Sequence, residues 1–412
     1  MAKETAGTMR RGFFTYAWDL DAEGPRRTAA RMADNLGANA VMVNALYHHA
    51  RVFRPRSSGP KTLRYDRALA FFQPQPAYYR ESGLLPAVED VLAGKEILDQ
   101  TRAACQEQGL DFGLWVVGLH NSTLGEAHPE RCVENLFGDK YTYALCPGQS
   151  ENQAYLQGLV GDVSDQFSPD RLLVEAAGTL GLHHGLHHEL FLQAWDQVLE
   201  LLFSRCFCPA CQARARARGI AVDALREKLR GIADRLLEEE RGALPLEFRQ
   251  HEVPSLLLEF EELRDYVQMG CEVVTDLVKS LRDAAAADGG ALEIIPASFH
   301  RPGSSAWLEG GSLRGLADAS DGLLVPAYFE DAPRVEADLN WAGLLAEGAP
   351  LSAGLNACSP AASAAGLQNQ VLACRRAGCR GVYYYNYGLL SEKRLDWVRK
   401  ANQALQRAEG EE

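Results

Sequence analysis

The chain of 412 residues carries 42 Lys and Arg against 55 Asp and Glu, which gives a formal net charge of −13. A surface this acidic repels phosphate backbones and anionic lipids, so it argues against a nucleic-acid or membrane partner. With 47% hydrophobic and 24% charged residues, the composition is that of a globular protein with a large core. A neutral small-molecule substrate is more compatible with this net negative charge than a nucleic acid or a membrane.

The N-terminal segment is interpreted as a first strand rather than as a targeting signal. Arg10 and Arg11 precede a short apolar run that ends at Asp19, and no small-residue cleavage site follows it. No apolar stretch reaches the roughly 18 residues that are needed to span a bilayer. We therefore expect a cytoplasmic protein.

Short apolar runs alternate with amphipathic helical patterns along the chain. The eight runs are 12–20, 38–48, 111–121, 171–179, 291–300, 321–330, 350–359 and 381–388. The helical patterns are 25–36, 87–108, 151–167, 332–347, 361–377 and 391–407. This alternation predicts an α/β fold, a closed (β/α)8 TIM barrel that forms one domain over residues 1–412. An open doubly wound sheet has the same local pattern, but no G-x-G-x-x-G follows any strand, and no organic cofactor is expected.

Two connections are too long for plain barrel loops. Residues 49–86 are dense in Arg, Pro and aromatic residues, and we expect them to lie over the barrel mouth. Residues 180–290 form a helical insertion after the fourth strand, with long charged helices around 222–243 and 255–286. The insertion is interpreted as a helical subdomain or as a contact in a homo-oligomer.

The candidate site residues are polar or aromatic groups near the ends of the predicted strands, because (β/α)8 enzymes place their reacting groups there. Glu175 interrupts an apolar strand and is the candidate catalytic acid or base. Asp19 and Glu330 are candidates for a second carboxylate. The candidate substrate-binding residues are Trp18, Tyr47, His48, His120, Asn121, Tyr328, Asn356 and Tyr385, of which the aromatic ones offer flat faces to a sugar ring or fill the barrel top.

A histidine-rich stretch, GLHHGLHHEL, begins at Gly181. On a helix, His183 with His187 and His184 with His188 would each share one face. Such pairs can bind zinc, hydrogen-bond a substrate, or remain solvated. We interpret His183 and His184 as substrate-binding residues, because the stretch lacks the H-E-x-x-H pattern of metalloproteases.

The run CFCPAC places Cys206, Cys208 and Cys211 at the spacing of a zinc knuckle. Tetrahedral zinc needs a fourth ligand, for which Cys146 is the first choice and Cys132 or a histidine the alternative. Because four protein ligands close the coordination sphere, the predicted Zn²⁺ is structural rather than catalytic. The remaining cysteines are scattered and do not suggest a disulfide framework.

Around these residues the chain resembles the family 42 β-galactosidases, which are retaining glycoside hydrolases with a barrel fold. The resemblance is carried by Cys146-Pro147, by Glu175 and by the C-x-C-x-x-C knuckle, in that order along the chain. It implies an acid/base role for Glu175 and zinc on four cysteines. Two positions depart from the family. Val174 stands where the family has Asn before the acid. The run 350–359, assigned to the seventh strand, offers Asn356 and no carboxylate, whereas the family has its nucleophilic Glu at the end of that strand.

Three functions remain open from the sequence. The first is a glycoside hydrolase-like enzyme that cleaves a small glycoside or oligosaccharide by carboxylate acid/base catalysis. The second is a metal-dependent sugar isomerase, epimerase or lyase that uses His120, His183, His184 and Glu175. The third is a carbohydrate-binding barrel without catalytic activity.

Overall fold

The computed structural model describes residues 8–184, 195–239, 249–286, 290–299 and 302–410. Its centre is a closed barrel of eight parallel strands, in which each strand pairs with the next along the chain and β8 closes against β1. The barrel strands are β1 Arg10–Tyr16, β2 Ala40–Tyr47, β3 Asp111–Val117, β4 Arg171–Glu175, β5 Ala291–Ile294, β6 Gly322–Pro326, β7 Leu351–Asn356 and β8 Gly381–Tyr385. The predicted (β/α)8 barrel is confirmed, with one strand inside each of the eight runs or overlapping its start.

Helices surround the barrel and connect its strands. They are α1 Ala17–Glu23, α2 Pro25–Ala30, α3 Asp90–Gly94, α4 Ile97–Gln108, α5 Ser122–Ala127, α6 Ser150–Phe167, α7 Gln197–Phe203, α8 Pro209–Ala217, α9 Val222–Glu238, α10 Glu252–Glu259, α11 Glu261–Ala285, α12 Leu313–Ala319, α13 Ala332–Leu345, α14 Ala364–Arg376 and α15 Glu392–Gly410. In the part of the chain that the structure describes, no helix is both long and apolar enough to cross a bilayer.

The strands end earlier than the apolar runs that predict them. The run over residues 12–20 continues past β1, which ends at Tyr16, and α1 begins at Ala17. Trp18 and Asp19 are therefore helical residues beyond the strand. The hydrophobic pattern does not reveal this boundary, because the first turn of α1 is as deeply buried as the strand before it.

Two small antiparallel hairpins lie outside the barrel. Ala50–Phe53 pairs with Thr62–Tyr65 inside the first long connection, and Cys132–Glu134 pairs with Lys140–Leu145 after α5. The first hairpin reaches the residues that follow β1, because the rings of Tyr65 and Trp18 lie 5.2 Å apart.

The connection from β4 to β5 carries the helical insertion with α7 to α11 and the cysteine run. Its helices bury a second hydrophobic cluster, to which α9 contributes the apolar face formed by Val222, Leu225, Leu229 and Ala233. These residues recur every three or four positions, so one stripe of the charged helix packs inward while the rest stays solvated. The predicted charged helices correspond to α9 and to α10 with α11.

Candidate active site at the barrel mouth

Glu175 is the last residue of β4, at the carboxyl end of the barrel, and its side chain is half-buried. The indole Nε1 of Trp115 on the neighbouring β3 donates a hydrogen bond of 2.9 Å to Glu175 Oε2. This charge-assisted hydrogen bond fixes the orientation of the carboxyl group. An acid held in this way at a barrel mouth is suited to proton transfer.

Three tyrosines form a cluster next to Glu175, whose charge acts on Tyr47 and Tyr385. The hydroxyl oxygens of Tyr16 and Tyr385 lie 2.8 Å apart, and the ring of Tyr47 lies 4.9 Å from that of Tyr16. Burial, and secondarily the charge of Glu175, raises the pKa of Tyr47 to about 12. Burial also raises the pKa of Tyr16 and Tyr385 well above the usual value. All three phenols therefore stay neutral and can give or accept hydrogen bonds beside the carboxylate.

Aromatic rings continue this cluster toward the first hairpin. Trp18 stacks on Tyr16 at 4.2 Å between ring centroids, and Tyr328 lies 5.9 Å from Tyr385. Trp18 is buried while Tyr328 is half-buried, so only the latter has a substantially exposed side chain. The structure thus brings Trp18, Tyr47, Tyr328 and Tyr385 together around one mouth.

Asp19 is buried in α1, against the turn that follows β8. Its carboxylate occupies the space beside Gly388, where a Cβ would clash with it. Burial raises the pKa of Asp19 to about 7, and the positive charges of Arg54 and Arg56 oppose this effect. Asp19 can therefore change its protonation near neutral pH, as a catalytic carboxyl group does.

The other predicted polar residues differ in their surroundings. Glu330 is exposed beyond the end of β6. Asn356 Oδ1 accepts from the backbone N of Cys358 at 3.1 Å. Asn121 caps α5 by accepting from Leu124 N, and its Nδ2 donates to the buried Tyr155 hydroxyl. Both hydrogen bonds of the Asn121 side chain therefore stabilise the loop after β3.

Four histidines meet at the ends of β2 and β3. The rings of His48 and His120 stack at 4.3 Å between centroids, and His49 lies 6.0 Å from His120. His184 Nε2 lies 3.1 Å from His120 Nδ1. His48 also stacks on Tyr47 at 4.1 Å, which joins the histidine cluster to the tyrosines around Glu175.

His183 points to a different partner from its neighbour His184. Its Nδ1 lies 2.9 Å from Glu200 Oε2, a carboxylate that also accepts from Trp195 Nε1 and Ser204 Oγ. Both histidines belong to a 3-10 turn, Leu182–His184. The predicted partners His187 and His188 lie outside the described residues.

The four predicted zinc ligands form one cluster. Cys146 Sγ lies 3.5 Å from Cys206 Sγ, 3.7 Å from Cys208 Sγ and 3.5 Å from Cys211 Sγ. These distances exclude disulfides and approach the edge of about 3.8 Å that a ZnS₄ tetrahedron has. Backbone N–H groups of Gly148 and Glu134 point at Cys146 Sγ and Cys206 Sγ. The donor set therefore fits a structural zinc ion.

Comparison with known proteins places the fold. No family model matches the chain, and no curated protein matches its sequence. Among solved structures, the glycoside hydrolase domain of PgaB (BpsB) from Bordetella bronchiseptica superposes with a TM-score of 0.58 at 13% identity, over 95% of this chain and 98% of that one. The catalytic domain of a β-amylase from Paenibacillus polymyxa gives 0.56 at 11% identity, over 97% and 98%. A β-galactosidase from the psychrophilic Marinomonas ef1 gives 0.56 at 12% identity, over 97% of this chain and 59% of that one.

These structural neighbours are glycoside hydrolases, and the chain shares their (β/α)8 barrel. At such low identity the likeness establishes the fold alone.

Trp115, Tyr16 and Glu200 belong to these clusters but were not among the residues predicted from the sequence. For Trp115 and Tyr16, the alternation of side chains along a strand could have indicated their position. Successive residues of a strand point to opposite faces, so Trp115 and Tyr16 share the inward face with alternate residues of β3 and β1. Glu200 lies 17 positions after His183, and no local pattern links the two.

Proposed function

We propose that this protein is a glycoside hydrolase-type enzyme that cleaves the glycosidic bond of a small glycoside or oligosaccharide. The observation that carries the proposal is Glu175, a carboxyl group oriented by an indole N–H and surrounded by neutral phenols at the catalytic end of a barrel. In this setting Glu175 protonates the departing oxygen as a general acid. The neighbouring tyrosines donate hydrogen bonds to sugar hydroxyls, and Tyr328 offers a half-buried ring face.

Asp19 is our first choice for the second carboxylate and Glu330 the alternative. Asp19 is supported by its burial and by a pKa of about 7, whereas Glu330 is exposed. The resemblance to family 42 β-galactosidases supports the role of Glu175. It does not supply a nucleophile on β7, because that strand ends in Asn356. The second group is accordingly assigned to a residue that follows a different strand, either Asp19 in α1 after β1 or Glu330 after β6.

We also infer that Cys146, Cys206, Cys208 and Cys211 hold a structural Zn²⁺. The inference is supported by the near-tetrahedral spacing of the four sulfur atoms and by the N–H groups directed at two of them. Zinc here ties the hairpin after α5 to the start of α8, and the closed sphere of four thiolates leaves no position for a substrate.

The test of the catalytic proposal compares Glu175→Gln with wild type on aryl glycosides whose leaving groups differ in acidity. We expect kcat/KM to fall by about 10²- to 10⁴-fold for poor leaving groups, because these need protonation. The loss should be much smaller for dinitrophenyl glycosides, which leave unaided. Glu126→Gln, an exposed carboxylate on α5, is the matched control and should behave as wild type.

Two results would contradict the proposal. Equal losses for good and poor leaving groups would remove Glu175 from the role of general acid. Sugar binding by wild type without any turnover would instead favour a carbohydrate-binding barrel. If the leaving-group dependence shows that Glu175 is the general acid, kcat/KM of Asp19→Asn and of Glu330→Gln will identify the second carboxylate. Where the missing group is a nucleophile, added azide restores turnover and forms a glycosyl azide.

A further inference from the structure

A second group of potential metal ligands lies at the rim of the barrel, apart from the cysteine cluster. His48 and His49 follow β2, and His120 follows the adjacent β3. One ring nitrogen from each of the three side chains lies within 4.8 Å of the other two. Zinc bound to imidazole nitrogens at about 2.1 Å holds them about 3.4 Å apart. Because the rings of His48 and His120 are stacked, one of these two rings must rotate out of the stack for the three nitrogens to reach one ion.

The other nitrogen of each ring is already used in the way that metal-binding histidines use it. His48 Nδ1 lies 2.6 Å from the backbone oxygen of His49, and His49 Nδ1 lies 3.4 Å from Ser122 Oγ. His120 Nδ1 lies 3.1 Å from His184 Nε2. A histidine ligand characteristically engages its second ring nitrogen with a carbonyl, hydroxyl or similar partner, which fixes the tautomer and the ring plane. Nε2 is therefore the candidate ligand atom on each of the three rings.

We propose that His48, His49 and His120 bind one divalent first-row transition-metal ion, such as Zn²⁺ or Co²⁺, through their Nε2 atoms. Three neutral imidazoles select these ions over Mg²⁺ and Ca²⁺, which prefer oxygen ligands. Three protein ligands leave a coordination position for water or for a sugar hydroxyl, in contrast to the closed set of four cysteines. His184 and Ser122 are positioning residues that orient two of the rings.

The location of the site gives the ion access to the proposed substrate. Tyr47 connects the three histidines to Glu175. Its ring stacks on His48, and burial and, secondarily, the charge of Glu175 raise the pKa of its hydroxyl group. An ion on the three histidines would thus lie at the same mouth as the catalytic carboxyl group. It would orient substrate hydroxyls or acidify a bound water molecule. The metal site does not depend on glycosidase activity and can be tested without a substrate.

The experiment measures Co²⁺ binding by untagged protein that has been stripped with a chelator. It compares wild type with the His48→Gln/His49→Gln double variant, whose replaced side chains are both half-buried. Thiolate-bound Co²⁺ produces intense charge-transfer absorption in the near ultraviolet, whereas imidazole-bound Co²⁺ produces only weak visible bands. We expect the double variant to bind one equivalent fewer per chain while the thiolate absorption is unchanged.

His128→Gln is the matched control, since His128 lies near the same loop but outside the cluster, and it should retain every equivalent. His49→Gln alone should weaken the imidazole-bound equivalent by at least tenfold, which keeps the test usable if the double variant is unstable. Equal stoichiometry in wild type and double variant would overturn the proposal. So would binding by wild type only at millimolar Co²⁺. Neither result would affect the leaving-group test of Glu175.

Discussion

The hydrogen bond from Trp115 to Glu175 predicts how the reaction depends on pH. The indole N–H stabilises the ionised carboxylate, so its removal in Trp115→Phe favours the protonated form. A general acid works only while protonated. The alkaline limb of the kcat/KM profile should therefore move to higher pH by about one to two units, since a hydrogen bond to a charged group contributes about 1.5 to 3 kcal/mol.

The control for this variant is Trp341→Phe, which changes an exposed tryptophan on α13 and should leave the profile in place. If Glu175 acts as a base instead, the acidic limb of the Trp115→Phe profile will move to higher pH while the alkaline limb stays in place. An unchanged profile would show that the indole serves only packing.

Asp19 predicts a dependence of stability on pH. Its pKa of about 7 in the folded protein exceeds the ordinary value of 3.8 because of burial. The unfolded chain therefore releases this proton first, and the stability that the neutral carboxyl contributes is lost as pH rises from about 4 to 7. As the pH rises over this range, the free energy of unfolding of wild type should fall relative to that of Asp19→Asn, by up to about 4 kcal/mol. Denaturant unfolding at pH 4 and pH 8 measures the difference, and a constant offset would contradict the assignment.

At the scale of elements, the cysteine cluster supports the loop that carries His120. Cys146 directly follows the strand Lys140–Leu145, whose Leu145 N donates to Leu119 O. The same strand bridges His120 through Ala144. Loss of the proposed zinc should therefore loosen both α8 and the end of β3.

We expect Cys208→Ala, or removal of zinc by a chelator, to lower the melting temperature by on the order of 10 °C. Hydrogen exchange should rise at Leu119–Asn121 as well as in α8. Cys271→Ser is the matched control because this half-buried thiol lies outside the cluster. If exchange rises in α8 alone, the cluster does not support the histidines.

The elements also show which features of the structure can be predicted from the sequence. Strand positions follow from apolar runs because parallel barrel strands are buried on both faces. Strand ends do not follow, since buried residues such as Trp18 continue the pattern into α1. The cysteine ligands are recoverable because three lie within six residues. The histidine cluster is not, because His49 and His120 meet only when β2 and β3 become neighbours.

At the scale of the whole molecule, the barrel separates its candidate site from a charged cluster at the opposite end. Glu293, the third of the four residues of β5, is buried between two arginines, with Oε1 3.4 Å from Arg10 Nη2 and 3.2 Å from Arg171 Nη1. Arg171 also reaches Asp111 Oδ2 at 3.3 Å. Arg10, Asp111 and Arg171 are the first residues of their strands, whereas Glu175 and the histidines lie at or beyond the strand ends. In barrels of this kind, residues at the end where the strands begin contribute to stability, and residues at the end where the strands finish carry the chemistry.

Glu293→Gln should therefore destabilise the protein without altering its catalysis. The substitution keeps the side-chain shape but leaves two partly buried guanidinium groups without their shared carboxylate, a loss of about 3 to 5 kcal/mol. Denaturant unfolding measures this loss. We expect kcat/KM well below the unfolding transition to stay within about twofold of wild type, because the Glu293 carboxylate is held by the arginines that begin β1 and β4 rather than by groups at the strand ends. Glu336→Gln, which removes an ion pair with Arg376 at the surface, is the matched control and should leave the free energy of unfolding almost unchanged. A large fall in kcat/KM for Glu293→Gln in fully folded protein would mean that the two ends of the barrel are coupled, and that the geometry around Glu175 depends on the charged cluster beneath it.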